Sequence, residues 1–245
     1  MTHLRALVTG HSRGLGAALT AELLARGHSV LGLSRAGLPA LAPGHPGELQ
    51  EVALDLSDSA ALCAWVATGA LVRFLDGAGR VLLINNAGSV QPMGPPGGQG
   101  AQALARSVAL NVTAPLVLAD ALVAATPGCA DRRVVHISSG AARNPYPGWS
   151  VYCATKAALD MHARAVQLDG VEGVRVSSVA PGVIDTAMQA DIRASRVSDF
   201  PLRERFESMK RDGALADPAD VARRLLAHVL SADFGRDPIP DLRQL

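Results

Sequence analysis

The chain has 245 residues, 49% of them apolar and 18% charged, which is enough apolar material for a large core and too little charge for a disordered chain. Lys plus Arg number 23 against 22 for Asp plus Glu, a net charge of +1, so no bulk field favours nucleic acid or an anionic membrane surface and neither is expected as a partner. The longest apolar stretch, 115–125, is interrupted by Asp120 and falls short of the roughly 20 residues of a membrane span, and residues 1–5 run straight into a strand-like segment without the layout of a signal peptide, so a soluble, cytoplasmic protein is expected.

A β-rich run at 5–9 leads into a helical run at 15–26, followed by strands at 29–34 and 49–54. A helix at 59–75, a strand at 81–85 and a helix at 101–125 come next; then a strand at 133–138, a helix at 152–168, a strand at 174–179 and a helix at 218–230. Strands alternating with helices, and unbroken apolar strands such as Val81-Leu82-Leu83-Ile84, predict a parallel sheet covered on both faces. The expected fold is α/β, a Rossmann-type doubly wound sheet forming one domain over 1–245, because such folds run to about 250 residues as one unit. Ligands of these sheets bind beyond the carboxyl ends of the strands, beside the point where strand order reverses.

Two Gly/Pro-rich stretches, 37–47 and 92–100, lie between a strand and the next element; the second has seven Gly or Pro in nine positions, and both are read as loops. The segment 187–215 lacks sheet-like patterning and carries charges with scattered Met and Phe, so it is expected to form a helical excursion over the site, a substrate lid. Three cysteines, Cys63, Cys129 and Cys153, offer neither a disulfide framework nor a CxxC pair, and the seven histidines include no HExxH, so no metal is expected.

The first strand ends in Thr9-Gly10-His11-Ser12-Arg13-Gly14-Leu15-Gly16, directly before a helix. Glycines here allow positive φ and close approach of backbone to a diphosphate, and the helix N-terminus presents free N–H groups with a positive dipole end. His11 is expected to be exposed. The second strand ends in Leu33-Ser34-Arg35, where a site for NAD would carry an acid for the ribose hydroxyls. Arg35, with Arg13 from the glycine loop, suits a 2′-phosphate instead, since guanidinium geometry matches phosphate oxygens; the plainer alternative is two solvated arginines. Asp55, in Asp55-Leu56-Ser57, either accepts from an adenine amino group or caps the next helix.

The chain holds two tyrosines and two lysines, yet Tyr152 and Lys156 stand at i and i+4 on one predicted helix and share a face. Bringing a tyrosine from its usual pKa of about 10 toward neutrality takes ~1.4 kcal/mol per unit, which a nearby ammonium supplies in a dry site. Thirteen residues earlier Ser139 ends the strand carrying His136, a position where its hydroxyl emerges beside the tyrosine; Ser138 is the rival, and the spacing favours Ser139. His136, inside that strand, is read as a buried packing residue. Asn85-Asn86-Ala87-Gly88 ends the preceding strand, and Asn111, a poor helix former, lies inside the next helix.

Together, Thr9 to Gly16 as TGxxxGxG, Asn85 to Gly88 as NNAG, Asn111, Ser139, Tyr152 to Lys156 as YxxxK, and Pro181-Gly182 with Thr186 resemble the short-chain dehydrogenase/reductase family in order and spacing over residues 9–186. The resemblance implies that Tyr152 gives a proton to a substrate carbonyl oxygen, Ser139 holds that oxygen, Lys156 lowers the tyrosine pKa and binds the ribose, and Asn111 orders a relay water. It also implies an NADP(H) site built from Gly10, Ser12, Arg13, Gly14, Leu15, Gly16, Ser34, Arg35, Asp55, Leu56, Asn86, Ala87, Gly88, Tyr152, Lys156, Pro181, Gly182, Val183 and Thr186. Members are commonly dimers or tetramers through the helices carrying Asn111 and Tyr152, so a homo-oligomer is expected.

The wording of Gly148 to Lys156, Asp185-Thr186-Ala187-Met188-Gln189 and Asp212 to Leu215 looks like the sepiapterin reductase and benzil reductase branch, which implies reduction of a ketone beside a second carbonyl. Trp149 either lines the pocket or packs in the core; Met188, Phe200, Phe206 and Met209 form an apolar lid or a core stripe. Asp241 either matches the acidic pterin anchor of that branch or is a solvated terminal residue, the latter being favoured. Other readings are a 3-oxoacyl thioester, sugar or steroid ketone reductase of the same chemistry, and, more remotely, a nucleotide sensor without activity.

Overall fold

A computed structural model describes residues 3–38 and 45–245. Six parallel strands form one sheet in the order β3-β2-β1-β4-β5-β6: β1 Leu4–Thr9, β2 Ser29–Ser34, β3 Leu49–Ala53, β4 Arg80–Asn85, β5 Arg132–Ile137 and β6 Val174–Val179. β1 pairs with β2 on one side and β4 on the other, so strand order reverses between β1 and β4. This is the expected doubly wound α/β sheet. Of the predicted loop at 37–47, residues 39–44 lie outside the described residues.

Period-two alternation sorts the strand side chains into two cores. Leu4, Ala6 and Val8 of β1, Leu82 and Ile84 of β4, and Val135 and Ile137 of β5 face a core closed by α1 (Gly14–Ala25) and α9 (Pro218–Leu230). The intervening Leu7, Leu83 and Val134 face the opposite core, closed by α2 (Ser59–Ala67), α3 (Ala70–Leu75), α5 (Ala114–Ala125) and α6 (Ser150–Asp169). With both faces covered, every residue of β5 is buried.

The structure divides two of the predicted helices. The run 59–75 breaks at Gly69, whose positive φ ends α2 and starts α3. The run 101–125 contains α4 (Ala101–Val108), a π-helical turn at Ala109–Thr113 and α5, and the wide turn is centred on Asn111. Joined through that turn, Ala101–Ala125 matches a membrane span by length and composition only, a test that the core helix of a globular fold also meets. Ala114, Leu118 and Leu122 pack it against the sheet, and 33% of its apolar window is buried within the chain. The expected excursion at 187–215 contains α7 (Ala187–Arg193) and α8 (Arg203–Arg211).

The amino ends of β4, β5 and β6 are gathered by one carboxylate. Asp131 lies 2.5 Å from Arg80 Nε, 2.8 Å from Arg133 Nε and 2.6 Å from Arg175 Nη2. Burial alone would raise its pKa, but the hydrogen bonds and charges of Arg133 and Arg175 outweigh it and hold the carboxyl at about 2. Such a group stabilises the fold fully above its ordinary pKa of 3.8 and loses that contribution as pH falls toward 2. Arg133 is 2% exposed and also donates to the Val229 and Ser231 carbonyls. Asp131→Ala should therefore lower the unfolding free energy at pH 7 by about 3 kcal/mol, the low end for breaking a buried pair, because those carbonyls remain. Urea denaturation checks this, and a loss below about 1 kcal/mol would refute the buried-charge account.

Candidate active site

The carboxyl ends of all six strands open on one edge. At its centre, Thr9 of β1 joins the strand on the far side of the reversal. Thr9 Oγ1 accepts from the backbone N–H of Asn86 and of Ala87, each at 3.0 Å, and Asn86 Nδ2 returns bonds to the carbonyls of Thr9 (3.0 Å) and Gly10 (3.2 Å). The glycine loop is pressed onto this junction: a Cβ at Gly16 would sit 2.1 Å from the Gly10 oxygen. Arg13, at the N-cap of α1, is extended and makes no side-chain cap bond among the described residues, so a cap does not occupy the helix's first N–H groups. A dinucleotide diphosphate fits this cradle, which only hydrogen and backbone can line. Gly14 faces Thr186, whose Cγ2 would meet an added Cβ at 3.2 Å, so the loop after β6 closes the other wall.

His11 is buried at 1% exposure, not exposed as expected. Gly32 of β2 leaves room for its ring, since a Cβ there would come within 2.5 Å of it, and Nε2 meets Glu51 Oε1 of β3 at 2.6 Å. Arg13 and Arg35 are both exposed, Ser34 is buried. Asp55 does not cap α2; Asp58 does, accepting from Ala61 N–H at 2.9 Å. Asp55 turns back onto the hydroxyl and N–H of Ser57, and those bonds, helped by Arg106 and Arg35 and opposed by burial, hold it below the usual carboxylate range. Leu15 and Leu56 point into the core, so only their backbone is open to a ligand.

Beyond β4 and β5 the four polar residues of the tetrad converge. Ser139 starts a short 3-10 turn, Gly140–Ala142, and its Oγ accepts from Ala141 N–H at 3.2 Å. Tyr152 sits opposite on α6; burial pushes its hydroxyl up to about 12, against a hydrogen bond with Ser139 that lowers it. Lys156, one turn on, donates to the Ile137 carbonyl at 2.7 Å and lies 5.7 Å from the Tyr152 ring centre. Burial brings its ammonium down to about 8, with Asp160 pulling the other way. Asn111 is clamped like a strand partner to Ser89, accepting its N–H at 2.9 Å and donating to its carbonyl at 2.8 Å, and also reaches Thr155 Oγ1. A Cβ on Gly88 would lie 3.4 Å from Asn111 Oδ1 and 3.6 Å from Lys156 Nζ, so this glycine keeps the space between them open.

Trp149 packs in a core, the second of its two readings. At 4% exposure it stacks on Phe200 (4.4 Å, 12°) and meets Tyr152 edge-on at 5.3 Å. Phe206 and Ile192 belong to this small core and Met188 packs against it, so α7 and α8 rest on the tyrosine's own turn; Met209 is not part of it. Asp241 is not a solvated terminal residue. It bridges Ala180 at the end of β6 and grips Arg243 with both oxygens, because the tail folds back along β6.

Three features escaped the sequence reading. His136 is buried, as expected, yet it is hydrogen-bonded: Asn85 Nδ2 donates to its Nδ1, and its Nε2 faces His162 Nδ1 at 3.0 Å. Burial, aided by His162 and Lys156, keeps it neutral with a pKa of about 3. The Thr9 junction and the buried Asp160 were also unmarked; the spacing of Asp160, four residues after Lys156 on one face, was the available signal.

The sequence matches the short chain dehydrogenase family over residues 5–197. Benzil reductase ((S)-benzoin forming) of Bacillus cereus is 36% identical over 226 residues, covering 89% of this chain and 91% of the relative. Sepiapterin reductase of Xenopus laevis is 35% identical over 241 residues, covering 93% and 90%. The crystal structure of a short-chain dehydrogenase/reductase from Burkholderia vietnamiensis is 49% identical with a TM-score of 0.72, covering 100% of this chain and 99% of that one. With its glycine cradle, its YxxxK helix and its parallel sheet in order 3-2-1-4-5-6, the chain belongs to the short-chain dehydrogenase/reductase family, oxidoreductases that use NAD(P)(H).

Proposed function

We propose that the chain is an NADPH-dependent carbonyl reductase acting on vicinal dicarbonyls, working as one dinucleotide-binding catalytic domain with 187–215 as its lid. The observation that carries this reading is the convergence of a protonated Tyr152, Ser139 and a buried Lys156 at the edge of the nucleotide cradle. NADPH, when bound, supplies the hydride. Tyr152 gives its hydroxyl proton to the substrate carbonyl oxygen, and at a pKa of about 12 it stands in the donor form throughout the neutral range. Ser139 hydrogen-bonds the same oxygen and fixes its direction. Lys156 favours the tyrosinate left behind, and Asn111 with Gly88 orders a relay path to the ammonium. Ser12, Gly14, Pro181, Gly182 and Val183 offer backbone to the cofactor, and Thr186 its side chain.

NADPH is favoured over NADH because Arg35 ends β2 where an acid would serve the ribose, with Arg13 exposed across from it. The dicarbonyl class draws on the named relatives and on the apolar floor of Trp149, Met188 and the lid, with Asp241 near the substrate's far end. The other ketone classes would use the same proton donor.

A homo-oligomer is supported by Val108 at the end of α4 and Met161 on the neighbouring α6, apolar side chains 45% and 60% exposed. A second copy of the chain is the occupant that reading assigns to this face.

Four outcomes test this reading. Tyr152→Phe should cut turnover about 10²- to 10⁴-fold, the range for losing a general acid, while NADPH binding followed by fluorescence persists; undiminished turnover would sink the mechanism. Arg35→Ala should raise the KM for NADPH about tenfold or more with little change for NADH, in line with the loss of one charge-assisted pair. Initial rates with both cofactors across benzil, a small diketone, sepiapterin and a 3-oxoacyl thioester place the substrate class; activity confined to the thioester refutes the dicarbonyl. Met161→Asp should lower the molar mass seen by light scattering to that of one chain, and an unchanged mass would move the interface elsewhere.

A further inference from the structure

Asp160 is a buried carboxylate for which the mechanism above has no use. It stands on α6 one turn beyond Lys156 and two beyond Tyr152, on the same face, at 7% exposure. A carboxylate is costly to bury unless its oxygens are paired, and all of its partners border the site. Oδ1 accepts from the hydroxyls of Ser138 at 2.6 Å and Ser178 at 2.7 Å, and Oδ2 accepts from Arg143 Nε at 3.0 Å. Ser138 immediately precedes Ser139, and Arg143 closes the 3-10 turn that Ser139 begins. One side chain on α6 therefore holds both ends of the Ser139 turn and ties them to β6 through Ser178.

We propose that Asp160 is a positioning residue for the carbonyl reduction proposed above: its carboxylate clamps the Ser139 turn at both ends and sets a negative charge one helical turn from the Lys156 ammonium. The charged and titratable groups facing Lys156 among the described residues are Tyr152 and Asp160 on its own helix and His136 on β5. His136 is neutral, and burial works against the ammonium, so Asp160 supplies the opposing charge. Its loss would draw Lys156 further toward its neutral form. In an assay of carbonyl reduction, the alkaline limb, where the tyrosine and lysine pair gives up its proton, would then move to lower pH.

Asp160→Asn, Ser138→Ala and Arg143→Ala test this with NADPH and whichever carbonyl the parent turns over. Asp160→Asn should lower kcat about 10- to 100-fold, the scale of a misplaced catalytic group, leave the KM for NADPH near the parent value, and shift the alkaline limb downward. Ser138→Ala and Arg143→Ala keep the carboxylate, so they should lower kcat without that downward shift. Amide hydrogen exchange over 138–145 should speed up in all three while 4–9 stays as in the parent. Folded Asp160→Asn with parent kcat and parent pH limb overturns the inference; if that variant fails to fold, parent kcat and parent exchange in the other two overturn it. A parent that reduces no carbonyl defeats the proposed reaction alone, and unchanged exchange over 138–145 then still defeats the clamp.

Discussion

Four hydrogen bonds, three from Asn86 and Ala87 to Thr9 and one from Asn86 to the Gly10 carbonyl, join the two strands at which the sheet changes direction. Helices after β1 and after β4 leave for opposite faces, so the chain diverges there and a crevice opens. Without cross-links the crevice floor would be a row of unpaired backbone groups, which burial makes costly. The threonine hydroxyl and the asparagine amide satisfy those groups, and both walls are positioned from that floor. The glycine loop lies on one side; Gly88, Asn111 and Lys156 lie on the other.

Burial drives three ionisable groups around the crevice toward their neutral forms: Tyr152 up to about 12, Lys156 down to about 8, His136 down to about 3. A chain that uses arginine 21 times and lysine only at 156 and 210 spends one of its lysines here. An arginine would stay charged at any accessible pH, whereas an ammonium near 8 can respond to the tyrosine beside it. The hydrogen bond between Tyr152 and Ser139, the bond that Lys156 donates to the Ile137 carbonyl and the charge of Asp160 counter the desolvation, so the site is held by polar partners drawn from β5 and α6 together.

Trp149 carries the second layer of the design. Its ring stacks on Phe200 and is the edge partner of Tyr152, so the 187–215 segment and the tyrosine share one packing unit. Gly148 lets the chain pass under Asp199, since a Cβ there would meet the Asp199 oxygen at 2.0 Å.

What the linear order determined is what depends on local periodicity and on short spacings. Unbroken apolar strands between helical runs imply a parallel, two-sided sheet, and the YxxxK spacing puts a lysine one turn from a tyrosine wherever that helix packs. The glycine loop before α1 and the tetrad were legible for the same reason, as was the absence of an acid after β2. What only the tertiary structure decided are properties of residues far apart in the chain. His11 is buried because Gly32, 21 positions away, has no side chain, and Asp241 is ion-paired at the end of β6 because the tail returns along that strand. Burial, pairing and the sharing of one carboxylate among Ser138, Ser178 and Arg143 arise from the meeting of strands and helices, which no window along the sequence contains.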